Sequence, residues 1–222
     1  MESHQSIIKK NVPLYEQAYR QLRTDILTGK IKSGSKLIES ALVDRFQISR
    51  TPLREALRQL QKEGLLVDDT SLGFQVIELN AQTYREIYET RLVLEKEATK
   101  LAVQNITDEQ ISQIEDVIQE AEALVNEANH LRIMEVNAKF HETIIQFCEN
   151  NTLVQFWRRT LTLLALYRAN VLEHSENIQD SHQEHKAILA AIKKRDVTKA
   201  IEEVEIHVIK SLHRKKQKWL ES

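Results

Sequence analysis

The chain has 222 residues, enough for one large domain or two small ones, and 41% of them are hydrophobic, an ordinary share for a globular protein. Four glycines and two prolines are too few for a turn-rich sandwich or barrel, and the prevalence of Leu, Ile, Ala, Glu, Lys, Gln and Arg favours helices. The net charge of -2 excludes a global positive field, and no apolar run approaches the ~20 residues of a membrane span. The opening stretch MESHQSIIKKNVPLYEQ has no apolar core for a secretory signal, and the single cysteine, Cys148, cannot form an internal disulfide. Both fit a reducing cytoplasm.

In chain order, Pro13 to Thr28 is the first predicted helix, with Leu14, Ala18, Leu22 and Ile26 on one face and Gly29 as its stop. GKIKSGSKL supplies turn residues and a short extended piece. Ile38 to Phe46 reads as a short helix with Ala41, Leu42 and Phe46 inward. After the tight link QIS, a third helix opens with Ser49 or Thr51 as N-cap and Pro52 near its first turn, and Gly64 closes it. Leu65–Val67 and Phe74–Leu79 then flank a polar turn as a small hairpin. This order is that of a winged helix-turn-helix, in which the third helix enters the DNA major groove.

Charge supports that assignment. Residues 31 to 62 hold seven basic and three acidic residues, a local positive patch on a mildly acidic chain. On the third helix Arg50, Arg54 and Arg58 fall at about 0°, 40° and 80° around the axis, beside a separate stripe of Leu53, Ala56, Leu57 and Leu60. A planar guanidinium pairs bidentately with guanine or clamps phosphate. Arg50, Thr51 and Arg54, at the helix start, are the candidate base readers; Ser49 and Arg58 are placed for phosphates. The competing reading is a solvated face with ion pairs such as Arg54–Glu55 or Arg58–Glu63.

Beyond Asn80 six helices are predicted, at about 82–104, 107–129, 131–149, 151–173, 178–194 and 196–219, with Thr107 capping the second. The fold class is therefore mainly α: a winged helix-turn-helix domain over residues 1–79 and an all-helical bundle over 80–222. Three histidines, His141, His185 and His207, lie within apolar stripes of three different helices, and Asn137 shares a face with His141. Burying three imidazoles without a common partner is costly. A divalent metal would satisfy them together, with imidazole donors suiting Zn, Ni, Cu or Fe and leaving Mn possible. The bland alternative is three satisfied core histidines, and His182 is the rival ligand on its helix. His4, His130, His174 and His213 read as surface residues, and HRKKQK as a solvated helix end.

The stretch LIESALVDRFQISRTPLREALRQLQKEGLL with GFQVIEL resembles the DNA-binding domain of GntR-type bacterial transcription regulators. By that resemblance Gly73 belongs to the wing, although Leu72 stands where the family often has a basic residue. VNAKFHETI, EHKAILAAIKKRD, AIEEVEIHV and YETRLVLEKEATKLA resemble the ligand-binding (FCD) domain of the FadR-type branch, and six helices rather than seven suggest its VanR-like form. The resemblance implies a metal (Zn, Ni or Mn) held by Asn137, His141, His185 and His207, with Asn137 in place of the usual Asp. It also implies a small carboxylate effector, a double-stranded DNA operator and a homodimer. Arg91 is the candidate effector anchor, against a simple ion pair with Glu95. The implied function is an effector-controlled regulator, commonly a repressor. A constitutive DNA-binding dimer and a metal-dependent hydrolase are the alternatives, the latter without any carboxylate at motif spacing to act as general base.

Overall fold

The computed structural model describes residues 12–69, 73–124, 130–170 and 176–219. The chain forms two compact units: Met1–Asn80 with Leu161–Val171, and Ala81–Thr160 with Leu172–Ser222.

In the first unit α1 (Leu14–Leu27), α2 (Glu39–Phe46) and α3 (Arg50–Lys62) surround one apolar core. The alternation of apolar positions in α1 buries Ala18, Leu22 and Ile26, while Leu14 is exposed. Asp25 is also buried, held by Arg45, by Gln21 and, at 3.8 Å, by Lys30. In α2 only Leu42 is buried; Val43 and Phe46 pack part-buried on the core, and Ala41 faces outward, contrary to the expectation from spacing. Leu53, Ala56, Leu57 and Leu60 of α3 are fully buried.

Among the described residues three short strands complete the unit. β2 (Leu66–Asp69) and β3 (Gly73–Val76) form the expected hairpin, and β1 (Lys36–Leu37) pairs antiparallel with the other edge of β3. The extended piece before α2 is therefore a sheet strand, tied down further by Ser33, which donates to the Ile77 carbonyl and accepts from the Leu79 amide. Gly73 has φ +119, a conformation that strains any side chain. The wing tip, including Leu72, lies outside the described residues, as do His4 and His174.

The second unit is helical throughout its described residues: α4 (Ala81–Asn105), α5 (Asp108–Leu124), α6 (His130–Gln146), the first half of α7 (Asn151–Asn170), α8 (Glu176–Lys193) and α9 (Val197–Trp219). Thr107 caps α5 as expected, in a reciprocal box with Gln110: the Gln110 amide donates to Thr107 Oγ1 and the Thr107 amide to Gln110 Oε1. α4 lies along α9, and α5 packs on α6 and α8. The resulting core includes Ile114, Phe140, Ile145, Trp157, Ile188 and Val204. The second half of α7 belongs to the first unit, where Leu166 joins the apolar core and Tyr167 Oη donates to the Asn80 carbonyl.

Candidate functional site

The first unit presents α3 as a rod with two faces. Its leucine stripe is buried, so Ser49, Arg50, Thr51, Arg54 and Arg58 all stay exposed. The preceding link makes its sharp reversal at Gln47, whose φ of 53 and ψ of 41 are left-handed. Ser49 is the N-cap residue, but its hydroxyl makes no capping bond, leaving it available to an outside acceptor. Arg54 is engaged: its Nε donates to both oxygens of Glu39 at 3.0 and 2.9 Å. The partner is a neighbouring helix's carboxylate, not Glu55. Glu63 pairs with Arg23 and Tyr19 rather than with Arg58. Arg54 is still more than half exposed, so exchanging Glu39 for a phosphate or base edge is a surface rearrangement.

The second unit brings His141 from α6, His185 from α8 and His207 from α9 into one buried group, with ligand atoms within 4.8 Å of one another. Each sits in the apolar stripe of its helix, so packing that stripe inward carries the ring with it. Phe140 stacks on the His185 ring at 4.2 Å between centroids and fixes its plane. His141 Nε2 and His185 Nε2 are 3.1 Å apart. Two nitrogens bound to one tetrahedral zinc are separated by about 3.3 Å, from a bond length of about 2.0–2.1 Å. The donor set and its spacing therefore fit a divalent metal.

Buried charges surround the rings. Arg91 and Glu95 of α4 are both buried, with Arg91 Nε 2.6 Å and Nη2 3.3 Å from the carboxylate. Arg91 Nη2 also reaches His141 Nε2 at 3.1 Å. Glu95 lies 3.2 Å from His141 Nδ1 and accepts from Trp157 Nε1 at 3.0 Å. Burial works against its charge, but Arg91 and His141 outweigh that and hold its carboxyl well below the usual range. On the other side Glu184 accepts from His207 Nδ1 at 2.9 Å and from both terminal nitrogens of Arg214 at 2.8 Å. Burial opposes ionisation there as well, yet the bonds from Arg214 and His207 lower the Glu184 carboxyl to about 2. Burial is the largest influence on His207, which falls to about 3 despite Glu184, and it drives His185 well below the ordinary imidazole value.

The sequence-predicted residues thus divide. The three histidines converge. Arg91 joins them while making the ion pair named as its alternative. Asn137 is half-buried, one turn before His141 on α6. His182 is buried, but it is outside the convergent group and neither ring nitrogen has a hydrogen-bond partner among the described residues. His213 is exposed. Spacing did not single out Glu184, Trp157 or Arg214. The only available signals were that Glu184 adjoins His185 in sequence and that Arg214 follows His207 by two helical turns.

Residues 14–76 match the description "Bacterial regulatory proteins, gntR family", and residues 86–210 match "FCD domain". The chain is 32% identical over 201 residues to the Uncharacterized HTH-type transcriptional regulator YdhC of Bacillus subtilis (strain 168), covering 90% of each chain. It is 30% identical over 202 residues to the HTH-type transcriptional repressor GlaR of Escherichia coli (strain K12), covering 86% of this chain and 90% of that one. Among solved structures, E. coli McbR/YncC shares the fold, with TM-score 0.73 at 23% identity over 94% of this chain and 99% of that one.

Proposed function

The chain belongs to the gntR family of bacterial regulatory proteins and carries an FCD domain, and on that premise we propose that its operator affinity is set by a small carboxylate bound at a divalent metal in the helical unit. Its function as a transcriptional regulator, and not an enzyme, follows from the family. The finer reading assigns residues 1–79 to DNA binding and 80–222 to effector binding and dimerisation.

On the DNA side, Arg50, Thr51 and Arg54 read bases, while Ser49, Arg58 and the wing at Gly73 meet the backbone. One winged helix reads only a short half-site, which is the physical need for a homodimer. Val93 on α4 and Phe156 on α7 are 68% and 58% exposed, large apolar side chains suited to that contact.

On the effector side, His141, His185, His207 and Asn137 hold Zn, Ni or Mn. Such a metal would supply a fixed positive charge able to take an anionic ligand. The four donors are neutral, so a carboxylate is the favoured added ligand. Arg91 anchors the same anion by turning from His141 toward it while keeping Glu95 as counter-ion. The observation that carries this reading is the convergence of three imidazoles from three helices on one point. Effector controls DNA only if it binds one arrangement of the dimer more tightly than the other. Operator binding titrated with metal and a panel of small carboxylates tests it. Among metal-loaded proteins, a carboxylate that shifts DNA affinity in the wild type but not in Arg91→Ala supports the assignment. Equal effector affinity in both removes Arg91 from the site.

A further inference from the structure

We infer that Glu95 and Glu184 are positioning residues of the metal centre, and that they carry from outside the coordination sphere the negative charge that Asn137 does not bring. The inference rests on the metal reading above and adds to it.

An ionised carboxylate can only accept hydrogen bonds. Glu95 and Glu184 each face an Nδ1, that of His141 and of His207. Each of those rings must therefore carry its proton on Nδ1, which leaves the Nε2 lone pair as the metal donor. At His141 the geometry agrees: Nε2 faces Arg91 Nη2, which can only donate. A carboxylate behind a ligating imidazole fixes its tautomer and plane and raises its basicity.

Both carboxylates are themselves held. Glu95 is gripped by Arg91 and by Trp157 Nε1. Glu184 is gripped by the two-pronged Arg214, with Lys210 Nζ at 3.6 Å. They reach the rings from different helices, α4 and α8, so His141 and His207 are braced independently. His185 differs, since its Nδ1 has no hydrogen-bond partner among the described residues and the stacked Phe140 orients its ring. Two of three imidazoles thus have an anion directly behind them. Such an arrangement would stabilise a dication through its ligands without placing a carboxylate among them. A ligand-position aspartate would stabilise the dication directly and also repel an incoming anion.

The competing explanation is that Glu184 only fastens α9 to α8 through Arg214. A double-mutant cycle separates the two. Zinc affinity is measured by competition with a chromophoric chelator for the wild type, Glu184→Gln, Asn137→Asp and the double variant, with thermal melting of each in EDTA. Gln keeps the size and one acceptor but removes the charge. We expect Glu184→Gln to weaken zinc binding by about 10- to 100-fold, and Asn137→Asp to raise zinc affinity by a larger factor in the Glu184→Gln background than in the wild type. A purely structural Glu184 gives additive effects: Asn137→Asp raises affinity by the same factor in both backgrounds, and any loss in Glu184→Gln follows the fall in melting temperature. Either that result or unchanged zinc affinity in Glu184→Gln overturns the inference. A wild type that binds no zinc, nickel or manganese overturns the metal reading itself, which distinguishes the two failures.

Discussion

At the residue scale, the decisive contacts are made by side chains whose roles depend on what tertiary packing sets beside them. The inward histidines were legible because each interrupts an apolar stripe of period 3.6. Glu184 was not, because its meaning comes from His207 and Arg214 on another helix. Arg54 shows the same limit: its carboxylate partner, Glu39, is fifteen positions away and reached only through the helix-turn-helix fold. Arg50→Ala is expected to weaken specific operator binding by about 1–3 kcal/mol and relax preference at one base pair; a gel-shift titration at fixed salt measures both. The buried histidines also set a pH dependence. His207 titrates near 3 in the folded chain against an ordinary 6.5, so between these values the unfolded chain binds more protons. Stability of the metal-free protein should therefore fall as pH drops below about 6.5, at up to about 1.4 kcal/mol per pH unit for one such proton. Glu184, lowered to about 2, adds in the same direction below its usual carboxyl range. Urea melts in EDTA at pH 7 and pH 5 check the sign, and equal or greater stability at pH 5 contradicts it.

At the scale of elements, periodicity and end signals located the helices because they act within a few residues. Gly64, with φ +80, closes α3 by letting the Leu65 amide reach the Leu60 carbonyl, and the Thr107 box opens α5. β1 is only two residues long, and its pairing with Gln75 and Phe74 depends on a segment nearly forty positions away. No local pattern marks such a strand. Ala41 likewise reads as inward by spacing, but α2 is short and buries only Leu42. The leucine stripe of α3 supports the proposed reading surface from behind. Leu57→Ala should destabilise the first unit by about 2–5 kcal/mol and weaken DNA binding of every sequence alike, since it makes no contact with bases. Circular-dichroism melts beside gel shifts on specific and non-specific DNA show whether the loss is uniform.

At the scale of the whole molecule, each unit gathers its own distinctive side chains: an exposed arginine row in one, a converging imidazole group in the other. Periodicity along α7 could not reveal that Leu166 enters the first unit's core, since a buried leucine looks the same whichever core receives it. Among the described residues no helix is long and apolar enough to cross a membrane. The exposed Val93 and Phe156 give the dimer assignment a direct test. Replacing both, Val93→Asp with Phe156→Glu, should yield a monomer by sedimentation and a large loss of affinity for a two-half-site operator, while affinity for a single half-site stays nearly constant. A variant that remains dimeric places the contact elsewhere.

The three histidines are proposed to hold a metal. Metal content by mass spectrometry, on untagged protein purified without chelator or nickel resin, tests it beside His141→Ala. Near one metal per chain in the wild type, and little in the variant, is the expected result. A wild type without metal that also fails to take up added zinc, nickel or manganese would contradict that proposal, and the imidazoles would then be buried polar side chains alone.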